Sequence, residues 1–399
     1  AVPVELMKDA AEKYGYIVAG SNNSRNGPFA PSYESAAAMA EDLSGRFPVD
    51  AKRVYFTGFS GGARASVYVT LACGTCAAGV ILHGAGLPSD RPPNKEMNFA
   101  VFSAVGTVDF NYSEVVTLQE KLADQGITHR LRRFEGPHQW APAEVWMEAV
   151  EWIELIAMKQ GRRTRDEVFI RDQLSRRTAR AREREAAGEL FVAWQEYRDI
   201  ARDFEGLVNV SEAADQAATL DRHEQTQEAR RDEQREFEQE RAVLREFNIS
   251  FGKFLNEPVE RPVMRAEIEA QLRELRRRRE SDNEGSRARV AQRAFTQVTA
   301  RLYEAGEHSL REKDYPLATM EFDLLTKALP DQPGPQYQLA RAHALGGKKK
   351  DAIGALREAL KLGFNRPALL EREDFAALRD NADFQRILET VRKSAPGSP

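Results

Sequence analysis

The chain has only two cysteines among its 399 residues, and both lie in one Cys-Gly-Thr-Cys segment at 73–76. A catalytic pair of this spacing opens a helix, whose dipole lowers the thiol pKa, whereas this segment closes one, so a catalytic dithiol is not expected. A zinc site would need two further ligands nearby, and none has the required spacing. The segment therefore contains either two free thiols or a small local disulfide. A disulfide would slightly favour a periplasmic or secreted location over a cytoplasmic one.

The chain also lacks long apolar runs and a strong charge imbalance. No run is long enough to span a bilayer, and the net charge is only −4, so we expect a soluble protein with neither a membrane span nor a nucleic-acid partner. The arginine run at 276–279 has acidic residues on both sides and no aromatic platform, which favours a solvated helix over a nucleic-acid contact.

Composition changes sharply near residue 160. Before this point strand-like and helix-like segments alternate, which predicts an α/β fold with a parallel sheet covered by helices on both faces. After it the chain is rich in arginine and glutamate with helical spacing, which predicts an all-α region. The predicted strands are residues 16–20, 53–59, 78–82, 99–105 and 129–134.

The segment Gly-Phe-Ser-Gly-Gly at 58–62 stands between a hydrophobic strand and a small-residue helix. This is the nucleophile-elbow pattern G-x-S-x-G in its strand–turn–helix setting. It places Ser60 at a sharp, strained turn above the sheet. We expect side chains at Gly58 and Gly62 to collide as the strand and helix approach each other. The residue after the serine, Gly61, can offer its backbone N–H to an oxyanion.

Two further candidates follow the ends of later strands. Asp109 ends a Gly-Thr-Val-Asp segment at 106–109, and His138 is the centre of Gly-Pro-His-Gln-Trp at 136–140. Active sites of parallel sheets form at the carboxyl ends of the strands. The chain order Ser60, Asp109, His138 is the order of an α/β-hydrolase triad.

On these motifs, residues 1–160 resemble the α/β-hydrolase superfamily, with dienelactone-hydrolase-like and feruloyl-esterase or polyhydroxyalkanoate-depolymerase-like esterases as the nearest subgroups. The resemblance implies that Ser60 is the nucleophile, His138 the general base and then acid, and Asp109 the group that orients the imidazole. It implies no metal and no organic cofactor. Asp90, in the loop after the preceding strand, is an alternative acid of lower rank.

The chain departs from the family pattern at its N-terminus. The family fold has about three more strands, and the loop after the third supplies a second oxyanion donor. That third strand lies between the strands that match 16–20 and 53–59. We expect Ala1 to begin a fragment; the alternative is a sheet that has closed around the gap. One donor, Gly61, remains, and losing such a donor costs about 10²–10³ in rate.

Several residues near the predicted site are weaker candidates for lining a substrate cleft. They share a position in or near a loop that leaves a strand end, and a solvated loop or a core-packing role is the open alternative for each. These residues are Asn23, Arg25, Tyr33, His83 and Trp140.

The C-terminal region contains a repeat. The small residues Gly306 and Ala340 are separated by the same number of residues as Ala318 and Ala352. That spacing is about 34 residues, the period of a tetratricopeptide repeat. Residues 292–367 therefore resemble two such repeats, with a degenerate repeat near 178–207 in the charged helical region 161–291. A capping helix is expected at 368–393 and a disordered tail at 394–399.

The sequence predicts a two-part protein of bacterial type: a serine hydrolase acting on a small carboxylic ester, joined to repeats that bind a protein or peptide partner. A peptidase of the prolyl-oligopeptidase type would use the same triad. A third hypothesis is a non-catalytic scaffold with a relic hydrolase domain. A stabilising or dimerising role without a ligand is the alternative for the repeats.

Overall fold

The structure is a computed structural model that describes residues 2–22, 29–281 and 285–394. Its contacts divide the chain into two compact units, Ala1–Phe237 and Glu238–Pro399, called unit 1 and unit 2. Within the described residues, none of the helices combines the length and the apolar character needed to cross a membrane.

Unit 1 begins with alternating helices and strands and continues with helices alone, as predicted. In chain order its elements are α1 (Val2–Tyr14), α2 (Ala30–Arg46), β1 (Tyr55–Phe59), α3 (Gly61–Ala72), β2 (Gly79–His83), β3 (Ala100–Gly106), α4 (Tyr112–Asp124), β4 (His129–Phe134), α5 (Ala143–Lys159), α6 (Glu167–Ala186), α7 (Leu190–Phe204), α8 (Ser211–Asp221) and the first part of α9 (Glu224–Asn256).

The four strands form one parallel sheet in the order β1-β2-β3-β4. Phe59 pairs with His83, and His83 pairs with Ala104, so the carboxyl ends of β1, β2 and β3 lie at the same edge of the sheet. Gly106 pairs with Phe134, which extends this edge to β4. The predicted parallel sheet is therefore confirmed, and its register brings the loops that follow the strands together.

Both faces of the sheet are covered. Ile81 and Phe102 pack with α1 and α5 in one apolar cluster, whereas Val80 and Val101 pack with α3 and α4 in another. This alternation is the period of two expected of a strand whose two faces are both buried.

One predicted strand is wrong. Residues 16–20 form no strand in the structure. In the described sheet β1 is the edge strand, with β2 on one side and no described strand on the other. Side chains tie this segment to α5 instead: the Tyr16 hydroxyl donates to Glu154, as the preceding Tyr14 hydroxyl does to Glu151. Between the segment and β1 lies a cavity of about 310 Å³ with a largely apolar lining.

Cys73 and Cys76 are joined by a disulfide at the end of α3, with their Cα atoms 5.5 Å apart. Of the two states that the sequence left open for this segment, the structure contains the local disulfide.

Unit 2 is all-helical, which confirms the second half of the predicted fold class. Its elements are the remainder of α9, α10 (Arg261–Ser281), α11 (Ser286–Arg311), α12 (Tyr315–Ala328), α13 (Pro333–Leu345), α14 (Lys349–Lys361), α15 (Pro367–Leu370), a 3₁₀ helix (Glu373–Leu378) and α16 (Ala382–Ser394). Residues 368–393, predicted as one capping helix, thus contain parts of three helices. Residues 395–399 of the predicted tail lie outside the described residues.

The helices of unit 2 pack small residues against large ones. A Cβ atom added at Gly306 would lie 2.5 Å from the ring of Phe322, which is fully buried. Ala340 and Leu356, each one repeat period further along the chain, are also fully buried and share one apolar cluster. The helices α12 and α14 begin at Tyr315 and Lys349, which are separated by the same period. The absence of a side chain at Gly306 is what allows α11 and α12 to approach closely.

Glu321 on α12 is fully buried, and among the described residues no hydrogen bond to either carboxylate oxygen meets ordinary distance and angle limits. Burial raises the pKa of Glu321 to about 7; Asp314 also raises it, whereas Ser309 and Arg261 lower it. Because burial disfavours the charged form, the carboxyl group is held partly protonated near neutral pH.

The packing at Gly306 predicts opposite effects for two glycine-to-alanine changes. Gly306→Ala places a methyl group against the fully buried Phe322 ring and should lower the free energy of unfolding by about 1–3 kcal/mol. Gly354→Ala, on α14, meets no atom within 4 Å and should raise it by about 0.5–1 kcal/mol, because alanine is the better helix former. Urea denaturation followed by circular dichroism measures both. Equal stabilities for the two variants would contradict the close approach.

The buried carboxyl group predicts a pH dependence of stability. Because the pKa of Glu321 is higher in the folded chain than the ordinary value of about 4.3, its contribution to stability is fully present below that ordinary value and is lost as pH rises through about 7. Glu321→Gln should therefore flatten the fall in melting temperature between pH 5 and pH 8. The exposed Glu358→Gln is the control and should leave the slope unchanged; an unchanged slope in Glu321→Gln would refute the assignment.

Candidate active site

The turn between β1 and α3 holds Ser60 in an unusual backbone conformation. Its φ is 54° and its ψ is −120°, and among the described residues only Lys313 is another non-glycine residue with positive φ. Such a conformation costs on the order of 1–3 kcal/mol and persists where the surroundings enforce it. Here the Ser60 N–H donates to the His83 carbonyl (2.8 Å), which fixes the turn to the end of β2.

Gly58 is required by the approach of strand and helix. A Cβ atom added there would lie 2.2 Å from the carbonyl carbon and oxygen of Gly62 and 2.7 Å from the Ala63 nitrogen. A Cβ atom added at Gly62 would meet nothing within 4 Å. The expected collision is therefore correct for Gly58 and wrong for Gly62, because the close contact is made by the backbone of Gly62.

Asp109 and His138 contact each other directly. Both carboxylate oxygens lie 2.9 Å from His138 Nδ1; the Asp109 side chain is fully buried, and that of His138 is 16% exposed. Gly106 allows this meeting, because a Cβ atom there would lie 2.2 Å from the carbonyl oxygen of Gly136, in the loop that carries His138. In the tautomer that carries its proton on Nδ1, the ring donates to the carboxylate and Nε2 can accept a proton.

The elbow and the Asp109–His138 pair come together around Gly84, whose φ is 62°. A Cβ atom there would lie 2.8 Å from the Phe59 ring, 3.0 Å from Asp109 Oδ2 and 3.2 Å from His138 Cε1. The rings of Phe59 and His138 have centroids 4.5 Å apart. Among the hydrogen bonds of the described residues, none joins the Ser60 hydroxyl to His138; catalytic hydrogen bonds commonly tighten only when substrate binds.

The predicted oxyanion donor, Gly61, is the first residue of α3. The first N–H groups of a helix have no partner within the helix, and the helix dipole adds partial positive charge there. At this position, the backbone N–H of Gly61 can donate a hydrogen bond to an anion next to Ser60.

The weaker candidates occupy different positions. Trp140 is partly buried, 5.3 Å from the Phe59 ring, and thus borders the site. His83 is fully buried against Trp146; burial lowers the pKa of His83 to about 3, and the imidazole offers no exposed atom to a substrate. Tyr33 is exposed. Asn23 and Arg25 lie outside the described residues.

The alternative acid Asp90 is exposed and accepts a hydrogen bond from the Tyr68 hydroxyl. His138 contacts Asp109 instead. The groups of three or more His, Cys, Asp or Glu that a metal ion would need are absent from the described part of the chain.

Three residues at the site were missed from the sequence. The rings of Phe59 and Phe110 pack at a tilt against His138, that of Phe110 with its centroid 4.1 Å away. Each is the chain neighbour of a predicted triad residue, which was the available signal. Asn111 donates its backbone N–H to Asp109 Oδ1, and its position two residues after an aspartate is typical of an Asx turn.

The steric difference between the two elbow glycines predicts a matched pair of variants. Gly58→Ala should lower the free energy of unfolding by about 1–3 kcal/mol or more, because the methyl group overlaps the backbone of α3. Gly62→Ala has open space and should change it by less than about 1 kcal/mol. Thermal and urea denaturation test both changes. A well-folded Gly58→Ala variant as stable as Gly62→Ala would contradict the described elbow.

Residues 33–143 match the model of the Dienelactone hydrolase family. This range contains Ser60, Asp109 and His138. Neither a curated protein nor a solved structure matches the chain. The family match confirms the predicted resemblance over this range, and it supports a hydrolase of the α/β type.

Proposed function

We propose that the protein is a serine hydrolase that cleaves small carboxylic esters through an acyl-enzyme. The observation that carries the proposal is the strained Ser60 turn, bonded to the His83 carbonyl, beside Gly84, where the Phe59 ring meets the Asp109–His138 pair. A free serine hydroxyl is a poor nucleophile, and a strained strand–helix turn next to an oriented imidazole is the arrangement that activates it. The family match over 33–143 supports the same reaction class.

In the proposed reaction, Ser60 Oγ attacks the ester carbonyl while His138 Nε2 takes its proton. The tetrahedral oxyanion accepts a hydrogen bond from the Gly61 N–H. The C–O bond to the alcohol then breaks, the leaving oxygen takes the proton from His138, and an acyl-serine remains. Water, deprotonated by His138, attacks the acyl group; the proton returns to Ser60 and the acid leaves. The carboxylate of Asp109 stabilises the imidazolium in both halves.

Esters are favoured over peptides on the chemistry of the leaving group. An alcohol leaves more readily than an amine, so an ester needs less help from the site than an amide does. A peptidase of the prolyl-oligopeptidase type and a non-catalytic scaffold are the competing hypotheses.

We also propose that residues 292–367 form two tetratricopeptide-like repeats. The constant offset between helix starts and between buried small residues supports this assignment. A protein or peptide partner for these repeats stays a prediction.

The central test is the reaction of Ser60. The wild-type chain should be labelled by a fluorophosphonate and should hydrolyse p-nitrophenyl acetate; Ser60→Ala should lose labelling and at least about 10³-fold in kcat/KM, because the nucleophile is gone. Peptide mass mapping of the labelled chain identifies the modified serine.

Ser66→Ala is the matched control. Ser66 lies on the same helix, is buried, and bonds the Gly62 carbonyl with its hydroxyl, so its loss should leave labelling intact. A folded wild-type chain that neither labels nor turns over would favour the scaffold. Cleavage of peptidyl amides at a rate comparable to esters would favour the peptidase.

A further inference from the structure

Asn111 is a buried residue that the proposed reaction does not use. It stands at the start of α4, two residues after Asp109, and is 6% exposed. Its backbone N–H donates to Asp109 Oδ1 (2.8 Å), and its side-chain Nδ2–H donates to the Gly84 carbonyl (2.7 Å). One residue therefore connects the carboxylate to the loop that follows β2.

The segment 83–84 receives hydrogen bonds from two directions. The His83 carbonyl accepts the Ser60 N–H, and the next carbonyl, that of Gly84, accepts the Asn111 amide. The Gly84 N–H in turn donates to the Ala104 carbonyl (2.8 Å), which fixes this segment to β3. Two consecutive carbonyls, those of His83 and Gly84, thus accept hydrogen bonds from the Ser60 turn and from the loop of Asp109 and Asn111, and they fix the position of one relative to the other.

There is little free space around Gly84, so the turn and the loop have little room to move relative to each other. The position of a Cβ atom there is within 3.2 Å of groups from Phe59, Asp109 and His138. Displacement of the acid loop by about 1 Å would change the distance between His138 and Ser60, and a misplacement of that size can cost about 10²-fold in rate.

We propose that Asn111 is a positioning residue that sets the location of the Asp109–His138 pair relative to Ser60 through its bond to the Gly84 carbonyl. The kinetic part of this inference rests on the proposed function, whereas the structural part does not. The backbone N–H bond to Asp109 survives any non-proline substitution, so the side-chain amide is the group to be tested. Without it the buried Gly84 carbonyl loses its donor, which favours movement of the loop.

The kinetic test compares Asn111→Ala and Asn111→Asp. Both should lower kcat for p-nitrophenyl acetate by about 10- to 100-fold with KM nearly unchanged, because the chemistry and not substrate binding is disturbed. The aspartate keeps the shape of the side chain and, when ionised, cannot donate to the carbonyl. Asn111→Asp therefore tests the same hydrogen bond to the Gly84 carbonyl if Asn111→Ala does not fold.

Thr70→Val is the matched control. It removes another buried bond from a side chain to a carbonyl in unit 1, Thr70 Oγ1 to Ser66 (2.8 Å), and should leave kcat unchanged. A loss of kcat equal to that of the Asn111 variants would show a general effect of destabilisation and would overturn the proposal.

A second readout is independent of turnover. The His138 Nδ1 proton that bonds Asp109 should give a low-field proton NMR signal, identified by its absence in His138→Gln. We expect this signal to shift or broaden in both Asn111 variants and to persist in Thr70→Val. A signal and a kcat equal to wild type in both Asn111 variants would overturn the inference. A signal that moves in a chain without hydrolytic activity would support the positioning role while refuting the proposed function.

Discussion

The hydrogen bond from the Ser60 N–H to the His83 carbonyl is the contact on which the geometry of the site depends. It continues the β1–β2 ladder past the last paired residues and holds a serine in a backbone conformation that a free chain would leave. The parallel register then places the loops after β3 and β4 at the same edge. Because Gly84 lacks a side chain, those loops can pack closely against the Ser60 turn. The strained conformation of Ser60 is thus held by a backbone hydrogen bond to the end of the neighbouring strand, β2.

The sequence predicts the parts of this site that are fixed by local chemistry. Gly58 is recognisable because the elbow motif requires it, and Asp109 and His138 because each follows a strand in the expected order. Residues 16–20 were predicted wrongly because a strand depends on a neighbour, which a local pattern does not reveal. Asn111 escaped notice because its partner, Gly84, lies 27 residues earlier in the chain, and one asparagine carries no periodic signal.

The same contrast holds in unit 2. The small residues Gly306 and Ala340 recur at a constant offset, so their packing role can be inferred from the sequence. The ion pair between Arg293 and Glu240, each 1% exposed, cannot, because the surrounding sequence is so rich in charge that every arginine and glutamate looks solvated. Removal of one partner from such a pair typically costs about 3–5 kcal/mol. The composition of this region therefore does not reveal which charges are buried and costly to remove.

Helix α5 connects two apolar cores within unit 1. Trp152 and Ile153 pack toward the sheet, whereas Leu155 and Met158 pack with α6, α7 and α8. A buried ion pair between Arg130 on β4 and Asp203 on α7 (3.0 Å) joins the same layers. The change of composition near 160 marks the end of α5, but apolar packing continues beyond this point. The strands that carry the site and the helices α6–α8 therefore lie in one compact unit. The packing of α7 supports α5, and α5 in turn covers the sheet that carries Ser60.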